Sequence, residues 1–312
     1  MTTSSKTSGS PDLSSLARPS GGFAMVTIDQ REALRAMFAE RQRETVTDAQ
    51  LTEFKLAAAR ALSPHASGLL VDRQFAFDRI VAENAVAPEC GLIAAADLFI
   101  GDEREIVADT EIDAQVVPER VAEQGAVAMK LLVIYRPDGN PARRIAMVEE
   151  FVDRCHAAGL LAILEPVARA PRDGRQWDWD ASVLAAASEL GSRGVDLYKA
   201  EVPLHGEGDS AQISRRCAEL GHRISSPWVV LSSGVPHDTF PTAVDLACRE
   251  GASGFLAGRV VWAPALDRVA GAGVSGEDVE RHLREISVPR LQLLCDVVDA
   301  AVRDVQPENP ER

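Results

Sequence analysis

The chain has 312 residues and a formal net charge of −14, with 26% charged and 46% apolar residues, an ordinary globular composition. The acidic balance argues against nucleic acid or an anionic membrane surface as a partner, while a local cationic pocket can still take an anionic small molecule. No apolar run approaches the roughly 20 residues of a spanning helix. Five dispersed cysteines without CxxC spacing point to reduced thiols in a cytoplasmic protein.

Residues 1–20 are rich in Ser, Thr and Pro and lack an apolar h-region, which predicts a disordered tail rather than a secretory signal. Residues 306–312 read the same way, leaving 21–305 as one domain. Within it, short apolar runs alternate with amphipathic stretches. Strands are predicted at 23–29, 68–72, 91–97, 126–135, 160–167, 195–202, 228–233 and 254–261. Most are continuous in Val, Ile, Leu and Ala rather than alternating, as for parallel strands covered on both faces. Between them, helix signals include Thr47-Asp48 opening 47–62, Gly159 closing 142–158, and Pro236 opening a helix that Gly251 ends. Eight such units over some 250 residues predict a single (β/α)₈ TIM barrel. An open doubly wound sheet would want GxGxxG after its first strand, where Gln30-Arg31-Glu32 stands instead. An extra C-terminal helix follows, with Leu291, Leu294, Val298, Ala301 and Val305 at helical spacing. It either packs on the barrel or forms a subunit interface, and a homo-oligomer (dimer or tetramer) is expected.

Only four of the 33 basic residues are lysines, and two of them, Lys130 and Lys199, interrupt apolar strand-like runs. A buried ammonium is costly without a partner or a task, and a lysine can lose its proton and attack a carbonyl. Catalytic groups of barrels sit at the C-terminal ends of strands, which selects Asp29, Asp72, Asp97, Lys130, Glu165, Lys199, Ser232, Ser233 and Arg259. Lys199 leads as a Schiff-base candidate; the alternative is a lysine paired with Asp196 or with Glu201, which alternation places on the same face. Lys130 is a second cation suited to lowering the pKa of Lys199, or a core lysine paired with an acid of the first or fifth strand. Glu165, before Pro166, reads as a general acid/base or as the partner of either lysine, and Asp29 has the same two readings. Asp72 and Asp97 read as helix caps. Ser232-Ser233-Gly234 and Gly258-Arg259 close the last two strands, where barrels bind phosphate on backbone N–H groups. Six histidines lack HxH or HExxH spacing, so neither a metal nor another cofactor is expected, and His205 is the one rim histidine.

These residues carry a resemblance. Asp29-Gln-Arg-Glu-Ala, Leu70-Val-Asp72-Arg-Gln-Phe, Glu165-Pro-Val, Asp196-Leu-Tyr-Lys199-Ala-Glu-Val-Pro, Leu231-Ser-Ser-Gly234 and Phe255-Leu-Ala-Gly-Arg259 run from about residue 20 to the last helix. In them the chain resembles class I aldolases of the tagatose-1,6-bisphosphate aldolase type, and among these the sulfofructosephosphate aldolases. The resemblance implies a (β/α)₈ fold, Lys199 as the Schiff-base residue and no metal. It also implies a small sugar phosphate as substrate. The first expectation is cleavage of 6-deoxy-6-sulfofructose 1-phosphate to dihydroxyacetone phosphate and 3-sulfolactaldehyde. Tagatose- or fructose-1,6-bisphosphate cleavage is the alternative, and a non-catalytic sugar-phosphate-sensing barrel is the alternative of another class. Ser232, Ser233, Gly234, Gly258 and Arg259 are candidates for the 1-phosphate, and Gln30, Arg31 and Lys55 for the far end.

Overall fold

A computed structural model describes residues 12–271 and 274–305. Its strands, in chain order, are β1 (Phe23–Thr27), β2 (Gly68–Val71), β3 (Gly91–Ala95), β4 (Asp97–Ile100), β5 (Asp109–Ile112), β6 (Ala126–Tyr135), β7 (Leu161–Ala168), β8 (Leu197–Glu201), β9 (Trp228–Leu231) and β10 (Gly254–Ala257). Eight of these close into a parallel barrel in the order β1-β10-β9-β8-β7-β6-β3-β2. All eight runs read as strands lie in the barrel wall. The other two, β4 and β5, pair antiparallel as a separate hairpin, with Asp97 opposite Ile112, inserted in the chain between the neighbouring wall strands β3 and β6.

The period of two sorts side chains to the two faces of the wall. Outward residues such as Val26, Leu69 and Leu164 pack under helix residues including Phe54, Phe151, Phe240 and Trp262. Inward residues build a separate apolar layer in the barrel's lower half, with Met25, Leu70, Ile93, Ala128, Ile163, Leu197, Val229 and Leu256 at its centre. On β1, β6, β7 and β8 the same inward face turns polar two residues further along: Met25 leads to Thr27, Ala128 to Lys130, Ile163 to Glu165 and Leu197 to Lys199.

The lower end is closed by part of the expected tail. Residues 12–20 are ordered, and a single turn Leu13–Leu16, capped by the Asp12 side chain on Ser14 N, drives Leu16 fully into the apolar layer. A Cβ at Gly91 would stand 2.6 Å from Leu16 Cδ2, so glycine makes room for the plug. Serine-rich composition masked two leucines spaced for one helical turn. Arg18 then pairs with Asp299 of the C-terminal helix Val288–Val305 at 2.7 Å. Residues 1–11 and 306–312, the remainder of the two predicted tails, lie outside the described residues.

Leu291, Leu294, Val298 and Ala301 of that last helix are buried against the rest of the molecule, as in the packing reading. Thr47 caps the helix Asp48–Leu62 through Gln50 N at 3.2 Å, and Gly159 takes a left-handed φ of +71° after the helix Pro141–Ala157. Two predicted boundaries move by four residues. The helix expected from Pro236 begins at Phe240, because residues 236–239 form a turn closed by Thr239 N on Pro236 O. The strand expected to reach 261 ends at Ala257, and Arg259–Trp262 is a helical turn in which Val261 N donates to Gly258 O. The two β-branched residues of that turn imitate a strand in sequence. Among the described residues no helix is long and apolar enough to cross a membrane.

Candidate active site

The polar inward layer surrounds a cavity of about 690 Å³ at the C-terminal mouth of the barrel. Lys199, 2% exposed, lines it from β8, directly beside β7, where Ile163 and Leu164 stand opposite Leu197 and Tyr198. That pairing brings Lys199 Nζ to 2.8 Å from Glu165 Oε1. The partners offered by sequence are engaged elsewhere. Asp196 accepts from Ala162 N at 2.7 Å and meets His156, and Glu201 accepts from Ala168 N at 2.8 Å.

Lys130 lies one layer beneath the cavity surface and is fully buried. Its ammonium stands 2.7 Å from Asp29 Oδ2, 2.6 Å from Asp97 Oδ2 and 3.1 Å from Glu165 Oε2, one carboxylate for each of its three N–H bonds. Burial pulls that ammonium down, but Asp29, Asp97 and Glu165 outweigh it and hold Lys130 protonated well above the usual lysine range. Burial likewise pushes Asp29 up, and Lys130 and Lys199 reverse this, keeping it ionised far below the usual carboxylate range. Thr27 Oγ donates to the same carboxylate. A site among three carboxylates would suit a cation, and here the lysine nitrogen occupies it. Among the described residues no group of three or more His, Cys, Asp or Glu is arranged to hold a metal ion.

Asp97, read from sequence as a helix cap, completes this cluster. It is fully buried and accepts from Lys130, from Leu132 N at 3.0 Å and from Arg31 at 2.8 Å. Its position at a strand's C-terminal end was the available signal; the hairpin that it opens was not read. Arg31 lines the cavity, with its guanidinium 4.2 Å from the centre of the Phe99 ring. Gln30 lines it too, and its Oε1 is buried without a partner.

On the other side of Lys199, Ser232, Ser233, Gly258 and Arg259 form the wall after β9 and β10. Gly258 is tightly enclosed: a Cβ there would stand 2.6 Å from Thr27 O. Gly234 lies just behind this wall with φ +77°, and a Cβ on it would be 2.5 Å from Nδ1 of His205. His205 is stacked on Trp179 at 3.6 Å, outside the cavity lining. Lys55 is elsewhere. It is fully buried on the helix Asp48–Leu62 and paired with Asp72, so the geometry removes it from the far end of a substrate. Asp72 also accepts from Phe75 N, as a cap would.

Glu201 continues the inward face of β8 and is 3% exposed. Burial pushes its carboxyl up to about 7, with Ala168 N–H and Arg169 pulling the other way. The native state therefore holds this proton more tightly than the unfolded chain, whose glutamates titrate near 4.5. Glu201's contribution is complete at about pH 4.5 and is lost as pH rises to 7, a loss on the order of 3 kcal/mol. Glu201→Gln keeps an acceptor for Ala168 N–H but cannot ionise. Urea unfolding at about pH 5 and pH 8 is expected to show a fall in stability roughly 2–3 kcal/mol smaller in the variant than in wild type. Equal falls would mean that the group titrates normally.

A closed parallel barrel with a lysine–carboxylate pair facing its C-terminal mouth is an enzyme scaffold. Residues 23–264 match the family described as DeoC/LacD family aldolase, and the chain belongs to that family, which makes it a lyase. It is 27% identical over 295 residues to the tagatose 1,6-diphosphate aldolase of Listeria monocytogenes serotype 4a (strain HCC23), covering 86% of this chain and 85% of that one. It is 26% identical over 280 residues to tagatose 1,6-diphosphate aldolase 2 of Streptococcus mutans serotype c (strain ATCC 700610 / UA159), covering 80% and 83%. In fold it is similar to fructose-bisphosphate aldolase from Plasmodium falciparum, with TM-score 0.67, 14% identity and 95% and 94% of the chains covered. It is also similar to an archaeal fructose-1,6-bisphosphate aldolase solved with its catalytic lysine bound to the carbinolamine intermediate, with TM-score 0.59, 14% identity and 92% and 98% covered.

Proposed function

We propose that the chain is a class I, Schiff-base aldolase that cleaves a ketose 1,6-bisphosphate, with tagatose- and fructose-1,6-bisphosphate as the substrates to test first. The observation that carries this is the Lys199–Glu165 contact of 2.8 Å inside a cavity with a Ser-Ser and Gly-Arg wall on one side. The tagatose-diphosphate aldolases among its relatives put this substrate class ahead of the sulfosugar expected first from sequence.

Glu165 Oε1 takes the proton of the Lys199 ammonium, and the neutral amine attacks the C2 ketone. Glu165 returns that proton to the carbinolamine hydroxyl, which leaves as water to give an iminium, and the iminium draws electrons from the C3–C4 bond. A carboxylate removes the C4 hydroxyl proton as that bond breaks. Glu165 is suited to this because its other oxygen is held by Lys130, and general acid–base help of this kind contributes about 10²–10⁴-fold. Asp29, kept ionised by two lysines, is a poor base and serves to hold Lys130. The aldehyde half departs, the enamine takes a proton at C3, and water releases dihydroxyacetone phosphate. Ser232, Ser233, Gly258 and Arg259 hold the 1-phosphate, with Gly234 shaping the loop, and Gln30 and Arg31 line the opposite wall.

A second reading is 6-deoxy-6-sulfofructose 1-phosphate, whose sulfonate carries one charge where a phosphate carries nearly two. The charge of Arg31 is already met by Asp97, which leaves that wall few free cations and suits a monoanion. Comparing kcat/KM for the two 1,6-bisphosphates and the sulfosugar, each with and without chelator, separates these readings. Turnover of the sulfosugar alone would reverse the order, and turnover abolished by chelator would remove the Schiff-base mechanism. Absence of retro-aldol turnover on every substrate would favour a sensing barrel. A cytoplasmic homo-oligomer, dimer or tetramer, belongs to the same reading, supported by Leu293, 54% exposed on the C-terminal helix; sedimentation tests the assembly.

A further inference from the structure

Four cations line the cavity: Arg31, Arg169, Lys199 and Arg259. Two are engaged by carboxylates, Arg31 by Asp97 and Lys199 by Glu165. Among the described residues Arg169 and Arg259 make no ion pair, and the one hydrogen bond of the Arg169 guanidinium goes to its own neighbour, Ala168 O, at 3.1 Å. The barrel order sets where these two charges stand. Arg259 follows β10 and Arg169 follows β7, with β9 and β8 between them, and Lys199 is on β8. Along the rim the sequence is therefore anion loops, amine, Arg169. A ketose laid with its 1-phosphate at Ser233 and Arg259 and its C2 at Lys199 extends its remaining carbons toward β7.

The backbone leading into Arg169 is held at two successive N–H groups. The Arg169 N–H donates to Tyr135 O at 2.9 Å, and the preceding N–H of Ala168 donates to Glu201 at 2.8 Å. Such anchoring reduces the ordering cost of an anion contact. Around Glu201 stand Arg169 after β7, Glu165 on β7 and Tyr198 on β8; with Glu201 titrating near 7, the nearby Arg169 charge is only partly offset at neutral pH.

Resting on the aldolase reading above, we infer that Arg169 is the specificity-determining cation for the anionic group at the far end of the substrate, a 6-phosphate or a 6-sulfonate. Arg31, neutralised by Asp97, is a donor in the wall rather than the charge that recognises this group.

The test compares Arg169→Ala and Arg169→Lys with wild type on a ketose 1,6-bisphosphate, the 6-sulfo ketose 1-phosphate and a plain ketose 1-phosphate. Loss of a charge-assisted contact predicts a fall in kcat/KM of about 100-fold for Arg169→Ala on whichever doubly anionic substrate the wild type prefers. On the ketose 1-phosphate the change is expected to stay within about 3-fold, and Arg169→Lys is expected to recover much of the loss. Borohydride trapping of dihydroxyacetone phosphate, which has no far anion, is expected to be unchanged in Arg169→Ala and shows that the variant folds with a competent site. Equal losses on all substrates, or none on the doubly anionic ones, overturn the inference. So does a wild type that prefers the plain 1-phosphate, and that result leaves the lyase reading standing. If wild type neither cleaves any substrate nor is trapped, the functional reading falls and this inference with it.

Discussion

Lys199→Met is expected to lower retro-aldol turnover by on the order of 10⁴–10⁶-fold, the range seen when an enzyme loses the nucleophile on which its other groups act. The substitution removes the amine and keeps the side chain's length, so the apolar floor of Ile163, Leu197 and Val229 is undisturbed. The readout has two parts. Borohydride with dihydroxyacetone phosphate is expected to leave a reduced adduct on Lys199 in the wild type, located by peptide mass, and none in the variant. Residual turnover within about 10²-fold of wild type would mean that another group performs the carbonyl chemistry, because general acid–base help alone is worth about that much. The unfolding midpoint should move little, since Glu165 keeps its second contact, with Lys130.

Lys130→Met is expected to act on the fold as strongly as on the reaction. It leaves Asp29, Asp97 and Glu165 around an uncharged chain in a buried layer. Removing one partner from a buried ionic cluster typically costs about 3–5 kcal/mol. The sign of the pH dependence follows from Asp29, whose carboxyl the lysines hold far below its ordinary value. Without Lys130 its pKa rises, so the destabilisation is greatest at neutral pH and shrinks as the solution is acidified. Urea unfolding at about pH 5 and pH 7.5 reads this, and a wild-type midpoint at both would show the ammonium to be dispensable. Lys130→Met combined with Asp97→Asn removes one of the stranded charges and is expected to recover part of the loss.

The barrel was legible because its strands are continuous apolar runs separated by helical patterns, and no other closed arrangement of eight such units buries both faces of each strand. The two lysines were legible for a related reason: a charged residue inside such a run has a partner or a task. Which partner was not legible. Glu201 and Asp196 were the nearest acids in sequence to Lys199, yet the lysine meets Glu165, 34 positions away, because β7 and β8 are neighbours in the wall. Asp97 was underrated because a strand-end aspartate before a polar stretch resembles a cap, and the Leu98-Phe99-Ile100 run that makes it the start of a hairpin is only four residues with Asp97 itself. Lys55 misled in the opposite direction. Its charge suggested a rim cation, whereas its helix buries it against Asp72. Arg169 carried no periodic or motif signal; only the position of its strand relative to Lys199 gives it meaning.

The plug formed by Leu16 beneath the barrel has a consequence for proton traffic. With the lower half sealed by side chains that neither donate nor accept, water reaches Lys130, Asp29 and Glu165 only through the mouth. In the proposed reaction a sugar occupies that opening, so the protons exchanged among the two amines, the three carboxylates and the hydroxyls of the sugar pass from group to group inside the ring of strands.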